Sequence, residues 1–215
     1  KDGVTINSED GLEITSNQAS YFKDKKILIL TGNVIIKDKI QNIIIRSEYI
    51  DYDKNIEKIV SKNTTQVDIE ENFIIIGENI YFYRQDEIIR SNDPVKLTDN
   101  FNNKIDAINF DYYLENKRFI SSKMNFIDQD LNKYKSKDTF IDLENNRIAA
   151  KDIEIYFADG ELGSNARLKG RSMISENNIS VIKNGVFTTC EVRKDCPPWA
   201  LKASEIKHDK SKKTI

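Results

Sequence analysis

The chain has 215 residues, 39% of them hydrophobic and 32% charged, with a formal net charge of -2. With 33 Lys+Arg against 35 Asp+Glu there is no long-range field to gather nucleic acid, and no face interleaves basic residues with aromatics for stacking, so nucleic acid is excluded as a partner. No run approaches the ~20 apolar residues of a bilayer-spanning helix, and no charged n-region followed by an apolar h-region marks a signal peptide.

The chain starts abruptly at Lys1-Asp2-Gly3 and stops in mid-pattern at Lys213-Thr214-Ile215, so it reads as a fragment of a longer protein. It carries 3 prolines, with no Gly/Ser-rich linker and no low-complexity tract, and residues 1–215 are expected to form a single all-β domain. Apolar side chains are concentrated in short alternating runs, which suits a thin sheet structure more than a thick core.

Leu12-Glu13-Ile14-Thr15-Ser16 opens the pattern with the period-2 alternation of a half-buried strand. Ala19 to Asp38 then reads as strand, polar turn and strand, the turn being Lys23 to Lys26. The unit recurs around Tyr49–Val60, Tyr81–Ile89, Phe110–Ile120 and Phe140–Ile148, and starts again at Ile206. Taking Asp24, Asp53, Gln85, Glu115, Glu144, Glu176 and Asp209 as turn positions, successive gaps are 29, 32, 30, 29, 32 and 33 residues. A period near 30 built from hairpins predicts antiparallel pairing; a parallel β-helix needs shorter rungs.

Ile27 to Ile36, Ile43-Ile44-Ile45 and Phe73-Ile74-Ile75-Ile76 are apolar on both parities. Such a strand is either covered on both faces by protein or lines an apolar cavity with one of them. On parity, Leu12, Ile14, Leu28, Leu30, Val34, Ile36, Ile45, Ile74 and Ile76 are expected to share an apolar interior, though a bulge at Gly32 would flip everything after it. Thr31-Gly32-Asn33 and Gly77-Glu78-Asn79 look like corresponding bends. Pro94 marks a loop or an edge, and Asp159-Gly160 and Asn184-Gly185 are type I′ hairpin signals. Ala149 to Ile155 has helical propensity, but Ile153, Ile155 and Phe157 alternate, which makes it a strand. Gly163 to Gly170 is either a surface loop or an adaptable edge strand.

Catalytic chemistry finds little support. His208 is the sole histidine and is expected to be a solvated residue of a Lys-rich turn, so no His-based triad or His-containing metal set can form elsewhere. Asp51/Asp53 and Asp128/Asp130 lack the Gly and downstream acid of a calcium loop and are read as turn acids. No motif argues for paired carboxylates of glycoside hydrolysis. No cofactor is implied. Cys190 and Cys196 are spaced C-x5-C within a Cys/Pro loop at 188–199 that also holds Pro197, Pro198 and Trp199. They point to an oxidising compartment and a disulfide, across this loop or to a segment outside the chain; free cytosolic thiols are the alternative.

The repeat, with Thr31-Gly32-Asn33-Val34-Ile35-Ile36 and Ser47-Glu48-Tyr49-Ile50-Asp51-Tyr52-Asp53, resembles the OstA-like domain of periplasmic lipopolysaccharide-transport proteins. The block Asn184-Gly185-Val186-Phe187-Thr188-Thr189-Cys190, followed by Pro197-Pro198-Trp199-Ala200-Leu201-Lys202-Ala203-Ser204-Glu205-Ile206, is similar to the N-terminal periplasmic domain of the LptD family of outer-membrane lipopolysaccharide-assembly proteins. The resemblance implies an open, twisted antiparallel β-jellyroll at the periplasmic face of a Gram-negative outer membrane. Its partners would be lipopolysaccharide, whose lipid A acyl chains lie in the groove, a bridge protein docked on an open strand edge at about Thr5 to Ser16, the chain's own C-terminal barrel, and the barrel's plug lipoprotein. Cys190 falls on the family cysteine that pairs near the barrel's C-terminus, whereas Cys196 is an addition to that pattern. A non-enzymatic lipid conduit is therefore weighed against a bridge protein of the same family, a β-repeat enzyme acting on polysaccharide, and a structural module stacking edge to edge.

Overall fold

The computed structural model describes residues 3–70, 73–158, 165–191, 199–212 and 214. Its residues group into two compact units, Lys1–Asn100 with Ile108–Glu115, and Phe101–Ala107 with Asn116–Ile215. All described pairings between strands are antiparallel, as the hairpin period predicts.

The first unit holds β1 (Val4–Asn7), β2 (Leu12–Ser16), β3 (Gln18–Phe22), β4 (Ile27–Asp38), β5 (Ile43–Asp53), β6 (Lys58–Ser61), β7 (Thr65–Ile69), β8 (Phe73–Gly77), β9 (Tyr81–Tyr83), β10 (Ile88–Ser91), β11 (Val95–Asp99) and the end of β12 (Lys104–Tyr113). Strands β4 and β5 are long and bent, and each serves two ladders. The far half of β4 and the first half of β5 continue one ladder, β1–β2–β4–β5–β7–β8–β11. Their other halves continue a second, β3–β4–β5–β6–β9–β10–β12. This is a jellyroll built from folded hairpins.

The bend has a local cause. The β4–β5 register slips between Thr31 and Val34, where Gly32 (φ 76°) and Asn33 (φ 47°) take left-handed backbone. A Cβ on Gly32 would also lie 2.6 Å from Asn17 Nδ2, so the site excludes larger residues twice over. Asn79 (φ 48°) makes the corresponding bend, as the sequence suggested. Bending frees backbone groups, and a small hydroxyl at each corner meets them. Ser16 Oγ donates to Gln18 O (3.0 Å), and Ser47 Oγ to Tyr49 O (3.3 Å). Ser61 Oγ accepts from Ile80 N (3.1 Å), and Ser91 Oγ donates to Glu78 O (3.1 Å). These serines are buried, and an unmet polar group there would cost about 1–3 kcal/mol. Turns stack as the bends do. The first amide of each turn donates to the last carbonyl of the turn before it: Lys54 to Lys26 (3.0 Å), Arg84 to Glu57 (3.0 Å), Leu114 to Glu87 (2.9 Å).

In the second unit, β13 (Arg118–Ile127), β14 (Lys133–Asp142), β15 (Arg147–Tyr156), β16 (Arg167–Glu176), β17 (Ile179–Thr188) and β18 (Leu201–Asp209) form a meander. Ala149 to Ile155 lies in β15, a strand as expected. Asn184-Gly185 is a correction. Asn184 has the positive φ of a turn (50°), but β17 runs straight through it, and the hairpin turn is at Asn177-Asn178. The dipeptide is a mid-strand bend, like those at Asp138 (φ 42°) in β14 and Asp152 (φ 47°) in β15. Asp159-Gly160 lies outside the described residues. The Gly163–Gly170 stretch resolves, from Arg167 on, into β16, where a Cβ on Gly170 would come within 2.1 Å of Ile182.

The acidic pairs are structural. Asp53 Oδ1 accepts from Asn55 N (2.9 Å), and Asp128 Oδ1 from Asp130 N (3.1 Å) and Asn132 N (2.9 Å), while Asp51 pairs with Lys62 (2.9 Å). Asx turns use short carboxylates in this way.

The placement of β8 sets a test. Ile75 is fully buried, and Ile76 on the opposite face is 42% exposed. Ile75→Ala should cost about 2–5 kcal/mol, and Ile76→Ala under about 1 kcal/mol. Urea unfolding followed by circular dichroism measures both, and equal losses would contradict this register.

Candidate functional site

Among the described residues no group of His, Cys, Asp and Glu could hold a metal ion, and the feature with functional content is the apolar interior. Cross-strand neighbours in the first ladder form a continuous row, Ile14–Ile36–Ile45–Val67–Ile75–Leu97. The second ladder contributes Leu28–Tyr52–Ile59–Phe82–Ile89–Tyr112. Of the residues expected in the interior, Leu12, Ile14, Leu28, Leu30, Val34, Ile36 and Ile45 are all buried. The bulge at Gly32 does not flip the face, because two residues, Gly32 and Asn33, are absorbed between Thr31 and Val34 and parity is kept.

Ile74 and Ile76 are a correction. Both are exposed on the outer face, and Ile75, opposite Val67, takes the interior place. The run Phe73–Ile76 is apolar on both parities, so only pairing with β7 decides which isoleucine faces in.

The tips of the two ladders in the first unit meet at Arg84, which sequence reading did not single out. Its side chain is 8% exposed. Nε donates to Asp38 Oδ2 (2.7 Å), Nη1 to Asp10 Oδ2 (2.8 Å) and to Glu57, and Nη2 to Asp10 O (3.1 Å). Gln41 Nε2 returns a bond to Arg84 O (2.8 Å). Asp38 is almost fully buried and also caps the Ile40 and Gln41 amides at 3.0 and 3.2 Å. Burial opposes the Arg84 charge, yet its carboxylate partners hold the guanidinium firmly protonated. The Ser8 hydroxyl and Arg84 keep the Asp10 carboxyl below its ordinary range, against some burial. Burial, with the Glu57 charge, pushes the Tyr52 phenol up to about 12. Phe73 and Tyr112, also from opposite ladders, approach with ring centroids 6.2 Å apart.

The second unit has its own core of Tyr134, Ile153, Ile155, Leu168, Met173, Ile182 and Ile206. Beside it lies a small apolar crevice of about 20 Å³, lined by Met124, Phe126, Tyr134, Ile148, Ala150, Ile153 and Met173, with Ser136, Ser175, Ser180 and Lys210 completing its wall. Methionines suit such a wall because their thioethers adapt to irregular partners. The Lys210 ammonium sits over the Tyr134 ring, 5.2 Å from its centroid, and the Tyr134 hydroxyl donates to Asp128 Oδ2 (2.9 Å). Burial, then Asp128, raises the Tyr134 phenol above its ordinary range.

His208 corrects another expectation. It is no solvated turn residue but is 5% exposed in β18, edge-on to Phe157 at 5.1 Å. The polar flanks Lys207 and Asp209-Lys210 hid the fact that its position alternates inward with Ile206. Its Nδ1 has no hydrogen-bond partner among the described residues. Burial and then the Lys210 charge lower its pKa, with Asp209 and Asp128 opposing.

Cys190 follows β17, partly buried. Its carbonyl accepts from Arg167, its amide donates to Thr188 Oγ1 (3.2 Å), and its Sγ lies 3.7 Å from Trp199 O. Cys196 lies outside the described residues. Among the described residues, β1 pairs with β2 alone, whereas β2 is covered by both β1 and β4. Of the expected edge Thr5 to Ser16, the open part is therefore Thr5 to Asn7.

Residues 6–86 match the family described as Lipopolysaccharide-assembly, LptC-related. The match falls within the first unit and takes in strands from both of its ladders. It is to the LptC-related family and carries no mark specific to LptD. No curated protein matches the chain.

His208 makes a pH prediction. Below its ordinary pKa of 6.5 the unfolded chain binds a proton that the fold refuses, so stability falls with pH until the folded imidazole itself titrates. His208→Phe should remove this component, gaining on the wild type as pH falls from 7 through 6.5 in denaturant unfolding. A constant difference between the two across that window would contradict it.

Proposed function

We propose that the protein is a non-enzymatic lipopolysaccharide-transport module that takes acyl chains into an apolar jellyroll interior and passes them on. The observation that carries this reading is the apolar interior of the first unit, where the rows Ile14–Ile36–Ile45–Val67–Ile75–Leu97 and Leu28–Tyr52–Ile59–Phe82–Ile89–Tyr112 present hydrocarbon along two ladders. Acyl chains have the chemistry that fits such an interior. Burial alone gives strong capture, about 0.8 kcal/mol per CH₂, so the reaction needs no catalytic group. The match of residues 6–86 supports the same class of cargo.

Within that reading we place the chain as the N-terminal periplasmic domain of an LptD-type protein. It would receive lipopolysaccharide from a bridge protein at the β1 edge and deliver it to its own outer-membrane barrel with the plug lipoprotein. The Thr188-Thr189-Cys190 and Pro197–Ile206 block supports this placement. The LptC-related match favours the second reading, a bridge protein of the same family.

Photo-crosslinkers at Met173 and Leu30 should capture lipopolysaccharide during transport, and one at the exposed Lys137 should not. Capture from Lys137 alone would overturn the conduit. For the placement, non-reducing peptide mapping of the full-length protein should find Cys190 bonded to the barrel segment, lost in Cys190→Ser. A Cys190–Cys196 bond as the sole species would favour the bridge reading.

A further inference from the structure

The first unit's interior is enclosed by its own walls, and its two ladders meet at their tips. Asp10, Asp38 and Gln41 belong to tips of the ladder that ends in β11, whereas Glu57 and Arg84 belong to tips of the ladder that ends in β12. The bends at Asn33 and Asn79 join the arms at the other side. Arg84 thus spans the mouth of a folded sheet, holding two carboxylates of the opposite arm, 46 and 74 residues away in sequence.

We propose that the Arg84 cluster is a latch on this mouth, closed while Arg84 bridges Asp10 and Asp38 and released when an acyl chain enters sideways. The proposal rests on the conduit reading. Three features fit a latch better than a permanent tie. The contacts that Arg84 makes across the mouth are polar, so parting them exposes groups that water can solvate. Asp10 is half exposed, with a side-chain exposure of 45%, so water already reaches one side of the cluster. The excess of carboxylates, Asp10, Asp38 and Glu57 around one guanidinium, leaves Glu57 to hold Arg84 on its own arm once Asp10 and Asp38 part from it. By contrast, the rows on either side of the bends are hydrogen-bonded strands that must stay paired for the unit to remain folded.

The test uses nitroxide-bearing unnatural residues at Ile40 and Ile56, exposed tips of the two arms (72% and 53%), in the full chain. Electron–electron distances should show one short population without ligand. Dispersed lipopolysaccharide should add a population longer by about 5 Å, roughly one strand spacing. The pair Arg84→Gln with Asp38→Asn should show that longer population without lipid, and Arg84→Lys, which keeps a charge but cannot fork to both carboxylates, an intermediate share. A crosslinker at Met173 reports in parallel whether lipid binds at all. Capture at Met173 with an unchanged Ile40–Ile56 distance in wild type and Arg84→Lys overturns the latch and leaves the conduit standing. No capture anywhere, with the distance still lengthened in the lipid-free variants, overturns the conduit and keeps the latch as a mechanical property. Should the double variant fail to fold, Arg84→Lys and the wild-type titration decide.

Discussion

The structure depends on the bend that each hairpin makes halfway along its length. A straight antiparallel hairpin can bury one face against something else; a bent one can bury its own two halves against each other. The bend needs left-handed backbone inside a strand, which Asn33, Asn79, Asp138, Asp152 and Asn184 adopt with little strain because their short polar side chains tolerate it. It also needs partners for backbone groups that the ladder can no longer serve, supplied by buried hydroxyls such as Ser47, Ser61 and Ser91. Without these two devices the long β4–β5 hairpin would not close on its own apolar face.

Once closed, an interior must be finished at its mouth, and the two units do this with different chemistry. The first uses charge, with Arg84 between Asp10, Asp38 and Glu57. A buried ion pair of this kind adds little to stability over a hydrophobic equivalent, but losing one partner strands the other at a cost of about 3–5 kcal/mol. The second uses aromatic and cationic contacts, Lys210 over Tyr134 and Phe157 against His208. That closure leaves a small apolar crevice beside it.

The titratable oddities of the described residues, Tyr52, Tyr134 and His208, are consequences of burial. On the proposed conduit reading, selectivity for an amphiphile would come from matching hydrocarbon to the apolar rows and anionic groups to cations at the rim.

The sequence by itself determined the all-β class, the ~30-residue hairpin period and the polar turns, because alternation and turn chemistry are local properties. It also determined the interior face of β2, where Leu12 and Ile14 alternate with Glu13 and Thr15. Tertiary structure decided which of Ile74, Ile75 and Ile76 faces inward, since a run that is apolar on both parities takes its face from the strand it pairs with. It alone made Asn184-Gly185 a bend instead of a turn, the same dipeptide geometry serving either according to whether the next strand continues. It alone buried His208, whose polar neighbours disguise an inward position. Arg84 was beyond reach for a plainer reason: its carboxylate partners lie up to 74 residues away, and only the folding of one ladder over the other brings them within hydrogen-bond distance.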